Sequence, residues 1–501
     1  MLGRLAIAFV TTLELCPCPD SGVFQPICHP NSPDMPDDGT LKVSWVTPRV
    51  PYGAPSIEIA GMNFGSSPAD LQISLQPMTV GTGPSVTSIA IQTNLGQTVV
   101  VASLSWPPQA SAVAVGPAAV RVSRNDGSAP QSLTTQVVVP AFKQLPQPAD
   151  LKNPVTWQYL GKASTANVLL VLDNLQNLQG IAYKSDGTFP AALTAIASGA
   201  KLTAATPSTL SPTPVGSDVL SVSQTGNMYP CLLMASNVYD CSNPNPFGPN
   251  PWKIGQAVAS GASDRGRELF AVVGDKQLFR CYYDRTAIKQ ADTCDPIAGF
   301  AGDAQALWAG PLGAGGRADI VVLDKAGKIS LFRDSGSGSF SDLTDTMLAG
   351  ARTKASWRGL AAVDVDGLNG TDLVALDPSG VTTWLNQGDG TFKPFDSKLS
   401  QVGATQLGPL VLGDIDGDAK SDLLLLTASG IQVALNLFDG GQGNGRFSAP
   451  APVLEANSLT PLTVVSPSVL SLDDGQPLGV RRRLLISSGS SCEAWDNQTK
   501  P

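Results

Sequence analysis

Four carboxylates stand close together in one short stretch of the chain. Asp414, Asp416, Asp418 and Asp422 occupy its first, third, fifth and ninth positions. In a tight loop such side chains converge on one point, and each supplies an oxygen ligand. Because the stretch offers no nitrogen or sulfur donor, it favours a hard cation, Ca²⁺ in particular. We expect the backbone carbonyl of Lys420 to add one more ligand.

A second stretch repeats this pattern less completely. Asp364, Asp366 and Asp372 match, whereas Leu368 holds the fifth position. Asn369 follows, and a shifted turn could bring it in as the missing ligand. The alternative is a hairpin that Asx turns hold without any metal.

A cation in such loops is expected to be structural rather than catalytic. Carboxylates in one loop repel each other, and a bound ion relieves that repulsion and fixes the loop. Extracellular modules of this kind bind calcium at about 10⁻⁴–10⁻³ M. The stretches before Asp319 and Glu268 carry too few acids, and we expect no metal there.

The composition excludes several classes of function. The chain has 501 residues and one histidine, His29, so its main body cannot hold a Ser-His-Asp triad or a zinc site of several histidines. The net charge of −9 gives no positive footprint for nucleic acid. Charged residues are only 15 % of the chain, which excludes a coiled coil or a highly charged disordered protein.

The cysteines point to an oxidising compartment. Close pairs stand at Cys231 and Cys241 and at Cys281 and Cys294, and we predict a local disulfide within each pair. The alternative is that all four are buried free thiols. The pairing of the remaining four cysteines stays open, because eight cysteines allow 105 connectivities.

Residues 1–39 form a signal-like, Cys- and Pro-rich segment followed by a linker. Arg4 precedes an apolar run over 5–10, as in a short secretory signal. Cys16 stands where a bacterial lipoprotein signal places its acylated cysteine, although Leu15 replaces the small residue expected before it. We predict an exported protein, extracellular, at the cell surface or periplasmic. A lipid anchor at Cys16 would be its contact with a membrane, and a plain signal peptide is the alternative.

Residues 40–141 predict a small β-sandwich, because several short alternating strands are separated by turn signals. The segment 112–115 is one of the predicted strands, and Arg124-Asn-Asp-Gly127 is a predicted hairpin turn. Gly53, Ile57-Glu-Ile-Ala-Gly61-Met-Asn-Phe-Gly65 and Val120-Arg-Val-Ser123 resemble IPT/TIG immunoglobulin-like domains. The resemblance implies a spacer or a protein-binding module.

Residues 150–501 repeat a motif in which a polar or acidic residue precedes a buried-looking strand. The repeats begin at intervals of 50 to 61 residues, at Asn167, Asp218, Glu268, Asp319, Asp372, Asp422 and Arg483. Each unit predicts an antiparallel meander of about four strands, which must stack on its neighbours to bury both faces. The sequence therefore predicts an all-β protein with a seven-bladed β-propeller, and six or eight blades remain possible.

Two of the repeats carry a second resemblance. Asp364-Val-Asp-Gly367 through Asp372-Leu373 is similar to an FG-GAP/VCBS repeat, and so is Asp414-Ile-Asp-Gly-Asp418 through Asp422-Leu423. Such repeats build the propellers of integrin α-subunits and of many secreted bacterial proteins. The family's glycine after the third acid is Ala419 here, which could strain the turn.

Three functions remain for comparison. The first is a secreted or surface-anchored calcium-binding propeller that acts as a non-enzymatic adhesion or ligand-binding module, with a protein or glycan ligand at the cell surface. The second is a structural subunit of an extracellular assembly or filament, which would self-assemble. The third is a propeller-type polysaccharide lyase or hydrolase, for which we find no nucleophile and base together in the sequence. We expect the recurring Trp357, Trp384 and Trp495 to pack the sheets rather than to bind sugar.

Overall fold

A computed structural model describes most of the chain. The described residues are 39–94, 97–146, 154–163, 166–173, 177–183, 194–197, 202–208, 218–223, 228–233, 239–240, 258–263, 266–273, 277–282, 294–312, 319–335, 339–351, 356–378, 380–397, 410–437, 446–463, 469–472, 483–488 and 491–499. The export-like segment with Cys16 lies outside them. Among the described residues, no helix has the length and apolar character needed to cross a membrane.

The N-terminal part of the described chain is a pair of four-stranded sheets, here called the first body. Its strands are β1 (Lys42–Val46), β2 (Arg49–Pro51), β3 (Ser56–Met62), β4 (Leu71–Pro77), β5 (Ser85–Asn94), β6 (Gln97–Ser105), β7 (Gly116–Arg124) and β8 (Gln131–Val138). One sheet has the order β1-β3-β6-β5 and the other β2-β8-β7-β4. All neighbours run antiparallel except β2 and β8, which are parallel.

The two sheets of the first body share one core, because alternate residues of each strand turn inward. Ile57 and Ile59 of β3 are buried, and they cluster with Val100 of β6 and with Val120 and Val122 of β7. The 112–115 segment, predicted as a strand, instead contains the end of a 3-10 helix, Ala110–Ala112. A second 3-10 helix spans Pro68–Asp70. The predicted turn after Arg124 does join β7 to β8.

Seven further sheets follow in chain order, and we number them sheet 1 to sheet 7. Sheets 1 to 3 consist of β10 (Pro154–Ala163), β11 (Ala166–Asp173), β12 (Leu178–Tyr183) and β13 (Thr194–Ala197); β14 (Leu202–Ser208), β15 (Asp218–Ser223), β16 (Met228–Leu233) and β17 (Tyr239–Asp240); and β18 (Val258–Ser263), β19 (Gly266–Val273), β20 (Gln277–Tyr282) and β21 (Cys294–Ile297). Each is an antiparallel meander in which neighbours in sequence pair with each other.

Sheets 4 to 6 have the same design. They consist of β22 (Ala304–Gly310), β23 (Asp319–Asp324), β24 (Ile329–Asp334) and β25 (Phe340–Asp342); β26 (Gly359–Val363), β27 (Asp372–Asp377), β28 (Gly380–Asn386) and β29 (Phe392–Ser397); and β30 (Val411–Gly413), β31 (Asp422–Thr427), β32 (Gly430–Ala434) and β33 (Ala451–Pro452). A short α-helix, Thr344–Met347, follows β25. The all-β prediction is confirmed.

Sheet 7 draws its strands from two distant parts of the chain. It contains β9 (Ala141–Gln144), β34 (Leu454–Glu455), β35 (Val469–Leu472), β36 (Leu484–Ser488) and β37 (Ser491–Asn497), in the order β34-β9-β37-β36-β35. Strand β9 comes directly after the first body, and it pairs with both β34 and β37. The segment that leaves the first body is therefore built into the last sheet.

Successive sheets stack through their apolar second strands. In β27, Leu373 and Ala375 pack with Val321 and Leu323 of sheet 4, in one cluster. The alternate residues of β27, Val374 and Leu376, pack with sheet 6. Because both faces of this strand meet a neighbour, all its residues are buried, as expected for a sheet covered on both sides. Trp357, Trp384 and Trp495 are also buried, which agrees with their predicted packing role.

The succession of sheets closes on itself. The first strands of sheets 1 to 6 contact one another in order, from β10 through β14, β18, β22 and β26 to β30, and β30 contacts β35 of sheet 7. Strand β10 also contacts β35, β36 and β37 of sheet 7. We call this closed succession the sheet ring. The first body packs against it, since Trp45 clusters with Leu437 and Ala451 lies in the core of the first body.

Candidate metal centre

Two acidic loops occupy the same place in neighbouring sheets. The sheet-5 loop, residues 364–372, connects β26 to β27, and the sheet-6 loop, residues 414–422, connects β30 to β31. Each begins with the same turn. The Gly367 N–H donates to Asp364 Oδ1 over 2.7 Å, and the Gly417 N–H donates to Asp414 Oδ1 over 2.6 Å.

The last carboxylate of each loop is fixed by backbone donors. Asp372 Oδ2 accepts from the Val365 N–H over 2.7 Å, and its Oδ1 accepts from the Asn386 N–H over 2.8 Å. Asp422 repeats this arrangement with the N–H groups of Ile415 and Asn436, both over 2.8 Å. These carboxylates are buried and have one defined orientation.

Three carboxylates converge in the sheet-5 loop. Asp364, Asp366 and Asp372 each place one oxygen so that all three atoms lie within 4.8 Å of one another. Asp366 and Asp372 are buried, whereas Asp364 is exposed. Among the described Lys and Arg side chains, none forms an ion pair with any of the three. The loop thus concentrates negative charge with no described basic partner.

Burial disfavours the charged form of these acids. It raises the pKa of Asp372 to about 7, although the backbone donors from Asn386 and Val365 act in the opposite direction. Burial also raises the pKa of Asp366. Buried carboxylates with raised pKa values that face a third carboxylate are unfavourable without a counter-charge, and a bound cation would stabilise their charged forms.

The sheet-6 loop gathers three of its four carboxylates. Oxygens of Asp414, Asp416 and Asp422 lie within 4.8 Å of one another, and all three side chains are buried. Burial, with the neighbouring Asp418, raises the pKa of Asp416 to about 6. Burial raises the pKa of Asp422 well above its usual range.

Asp418, the fourth predicted ligand of this loop, faces basic side chains instead. Its Oδ2 lies 3.3 Å from Nε of Arg49, a residue of the first body, and 3.6 Å from Nζ of Lys420. Arg49 also places Nη1 2.5 Å from Oδ2 of Asp416. Burial lowers the pKa of Arg49, but the charges of Asp416 and Asp418 outweigh it and the pKa is raised. The Lys420 N–H donates to Asp418 Oδ1 over 3.0 Å.

The sixth position of both loops is left-handed without being glycine. Asn369 has φ of 58° and Ala419 has φ of 69°. Asn tolerates this conformation, whereas a β-carbon on alanine costs about 1–2 kcal/mol there. The Asn369 side-chain amide donates to the Asn386 carbonyl over 3.2 Å. Leu368, at the preceding position, is 49 % exposed.

Three asparagines that the sequence did not single out connect neighbouring sheets. Each donates to a carbonyl in the segment that precedes the second strand of the sheet before it. The side-chain amides of Asn386, Asn436 and Asn497 donate over 2.8 Å to the carbonyls of Leu312, Val365 and Ile415, respectively. Asn386 and Asn436 each stand 14 residues after the buried aspartate that their own N–H binds. That spacing was a usable sequence signal.

Sheet 4 has an arginine in place of this asparagine. Arg333 donates to the buried Asp319 through Nε over 2.8 Å and through Nη2 over 3.0 Å. Asp319 also accepts from the Leu312 N–H, as its counterparts in sheets 5 and 6 accept from theirs. The guanidinium supplies the positive charge next to an aspartate whose loop offers no second acid.

Three of the four cysteines predicted to form disulfides lie among the described residues. The backbone register of β20 and β21 sets Cys281 directly opposite Cys294. Cys231 lies fully buried in β16, whereas Cys241 lies outside the described residues.

The sheet-5 loop fits a hard divalent cation. Its converging donors are carboxylate oxygens from one short loop, the type of ligand that Ca²⁺ prefers. The sheet-6 loop offers the same donors, but the guanidinium of Arg49 lies against one member of the cluster, Asp416.

Comparison with known proteins agrees with the repeat seen in these two sheets. Residues 369–425 match the FG-GAP-like repeat, which confirms the predicted resemblance over this stretch. No curated protein matches the chain. Among solved structures, a lectin of Agrocybe aegerita, studied for its specific recognition of non-reducing terminal N-acetylglucosamine, is 16 % identical with a TM-score of 0.47, over 68 % of this chain and 89 % of that one. A structural genomics protein of unknown function from Bacteroides thetaiotaomicron is 12 % identical with a TM-score of 0.36, over 92 % of this chain and 98 % of that one.

Proposed function

We propose that the chain is an exported, calcium-stabilised β-propeller that acts as a non-enzymatic ligand-binding module. The single observation that carries this proposal is the convergence of Asp364, Asp366 and Asp372 within 4.8 Å. Carboxylates held this close without a described basic partner suit a cation, and the FG-GAP-like repeat covers the second half of the same turn.

The proposed architecture is a seven-bladed propeller. Six meanders and the five-stranded sheet 7 follow one another, and the first strand of the first meander contacts sheet 7, as closure of a ring requires. Closure through β9 supports a single rigid platform, because this strand ties the start of the ring to its end. The first body, with its two packed sheets, suits the predicted immunoglobulin-like domain of IPT/TIG type.

The proposed location is extracellular, at the cell surface or periplasmic. The register that sets Cys281 opposite Cys294 supports a disulfide, which persists in oxidising compartments. Millimolar calcium is available outside cells, in the range where loops of this kind bind it. Calcium then acts as a structural ion that fixes the loops on one edge of the ring.

The proposed ligand is a protein or glycan at the cell surface. The test uses immobilised full-length protein exposed to labelled surface extracts in millimolar calcium and in EDTA. We expect ligand retention in calcium, and its loss in EDTA and in an Asp366→Asn variant. Asp295→Asn is the matched control, because Asp295 is exposed and lies outside both acidic loops. Equal retention under all conditions, or none under any, would contradict the proposal.

A further inference from the structure

The two acidic loops differ in a way that their sequences do not show. The sheet-6 loop has the more complete set of acids, yet a guanidinium from the first body already contacts it. Arg49 reaches Asp416 over 2.5 Å and Asp418 over 3.3 Å. We propose that Arg49 is the resident cation of the sheet-6 loop, where it joins the first body to the sheet ring in place of a metal ion.

The position of Arg49 is imposed by its surroundings. It begins β2, which pairs in parallel with β8 so that Arg49 lies opposite Gln136. The next residue, Val50, is buried in the core of the first body. Three residues further on, a β-carbon on Gly53 would lie 2.6 Å from Pro452 of sheet 6, so the two bodies are in close contact here. The arginine is therefore presented to the loop by a fixed strand.

Other contacts hold the same interface in place. Trp45 of β1 packs with Leu437, the residue after the asparagine of sheet 6. Arg446 lies 3.8 Å from Glu58 across the interface. The Arg49 contact is thus at the edge of an apolar interface and is partly shielded from water: the side chain of Asp416 is fully buried and that of Asp418 is 6 % exposed, whereas that of Arg49 is 24 % exposed.

The charges of the two loops predict which of them takes a metal first. With every carboxylate counted as ionised, the sheet-6 loop has four negative charges against the positive charges of Arg49 and Lys420, which leaves a formal charge of −2. The sheet-5 loop has three carboxylates and no described basic partner, which leaves −3. A divalent cation at the sheet-6 loop must also displace or approach a guanidinium of like charge. We therefore expect the sheet-5 loop to be the calcium site of the ring, although its sequence matches the pattern less well.

The inference has two parts that fail separately. The choice of calcium loop rests on the proposed function, whereas the role of Arg49 as counter-cation does not. A double-mutant cycle tests the second part in EDTA, with Arg49→Gln, Asp416→Asn and the double variant of the full chain. We expect Arg49→Gln alone to lower the melting temperature by several degrees, and Asp416→Asn to restore part of that loss. Arg121→Gln, an exposed arginine on β7, is the matched control and should leave the melting temperature unchanged.

Calorimetric titration with CaCl₂ tests the first part. In an Asp366→Asn background, which removes the sheet-5 site, we expect little binding by the sheet-6 loop. Adding Arg49→Gln to that background should tighten calcium binding about tenfold or more, because a resident positive charge is removed. Equal calcium affinity with and without Arg49 would overturn the choice of the sheet-5 loop as the calcium site.

The double-mutant cycle tests the role of Arg49 independently of calcium binding. If no variant binds calcium, the proposed function fails, but coupling between Arg49 and Asp416 would still establish the counter-cation. If the effects of Arg49→Gln and Asp416→Asn simply add, Arg49 is not the counter-cation of the loop, and the inference is wrong.

Discussion

The side-chain amide of Asn436 donates a hydrogen bond of 2.8 Å to the carbonyl oxygen of Val365. Val365 belongs to the sheet-5 loop, and its own N–H donates to Asp372 over 2.7 Å. One peptide segment therefore links sheet 6 to a carboxylate of the candidate metal centre. The same side chain also donates to the Ser421 carbonyl in its own sheet over 3.2 Å.

This link predicts that Asn436→Ala weakens both the fold and the loop. Asn436 is 1 % exposed, and its loss leaves the Val365 carbonyl buried without that donor. We expect a decrease of about 2 kcal/mol in the free energy of unfolding. Calcium affinity should fall as well, because Val365 positions Asp372. Chemical denaturation and calcium titration measure the two effects, with the exposed Asn457→Ala as control. Unchanged stability in Asn436→Ala would contradict this account of the interface.

The Arg333–Asp319 pair predicts that removing the arginine lowers the stability of the fold, and that calcium does not restore it. Arg333→Gln removes two donors from a carboxylate that is 2 % exposed. Since the Arg333 side chain is partly exposed, we expect a decrease of about 2 kcal/mol in the free energy of unfolding, less than for a fully buried pair. Denaturation in EDTA and in calcium should give the same decrease, and Lys325→Gln should give almost none. Rescue by calcium would show a metal site in sheet 4.

The left-handed conformation of Ala419 predicts that Ala419→Gly stabilises the protein. Glycine removes the strain of the β-carbon but increases the entropy of the unfolded chain, so we expect a net gain of about 0.5–1 kcal/mol. The exposed Ala69→Gly is the control, because Ala69 is not at positive φ and glycine should destabilise there. Chemical denaturation compares the two. A loss of stability in Ala419→Gly would show that this turn is not strained.

The register of β20 and β21 predicts a disulfide between Cys281 and Cys294. Alkylation of the denatured, unreduced protein followed by mass spectrometry should find the peptides of these residues linked. Cys281→Ser should lower the free energy of unfolding by about 3 kcal/mol, the value expected for a loop of this length. Reductant should lower the free energy of unfolding of the parent protein, because it breaks this disulfide. It should cause no such further decrease in Cys281→Ser, which already lacks the bond. Alkylation of both cysteines without prior reduction would exclude the disulfide.

The repeating strands could be predicted from the sequence because their signal is local. Six of the seven predicted repeat starts lie in the second strand of a sheet. The seventh, Arg483, directly precedes β36. Asp319, Asp372 and Asp422 are the first residues of their strands. A polar residue next to an apolar run marks the place where a buried strand starts.

The contacts between distant segments could not be predicted in this way. Arg49 and Asp416 are separated by 367 residues, and no periodicity brings them together. The pairing of β9 with β37 likewise joins the start of the ring to its end. Sequence pattern therefore ranked the sheet-6 loop above the sheet-5 loop, because the arginine that changes its charge comes from another part of the fold.

The most direct test of the calcium-stabilised ring is its thermal unfolding in EDTA and in millimolar calcium. We predict that calcium raises the melting temperature of the parent protein, because the ion binds the folded state through Asp364, Asp366 and Asp372. An Asp364→Asn, Asp366→Asn variant should lose this increase, whereas Asp295→Asn should keep it. A melting temperature that is the same in EDTA and calcium for the parent protein would contradict the account.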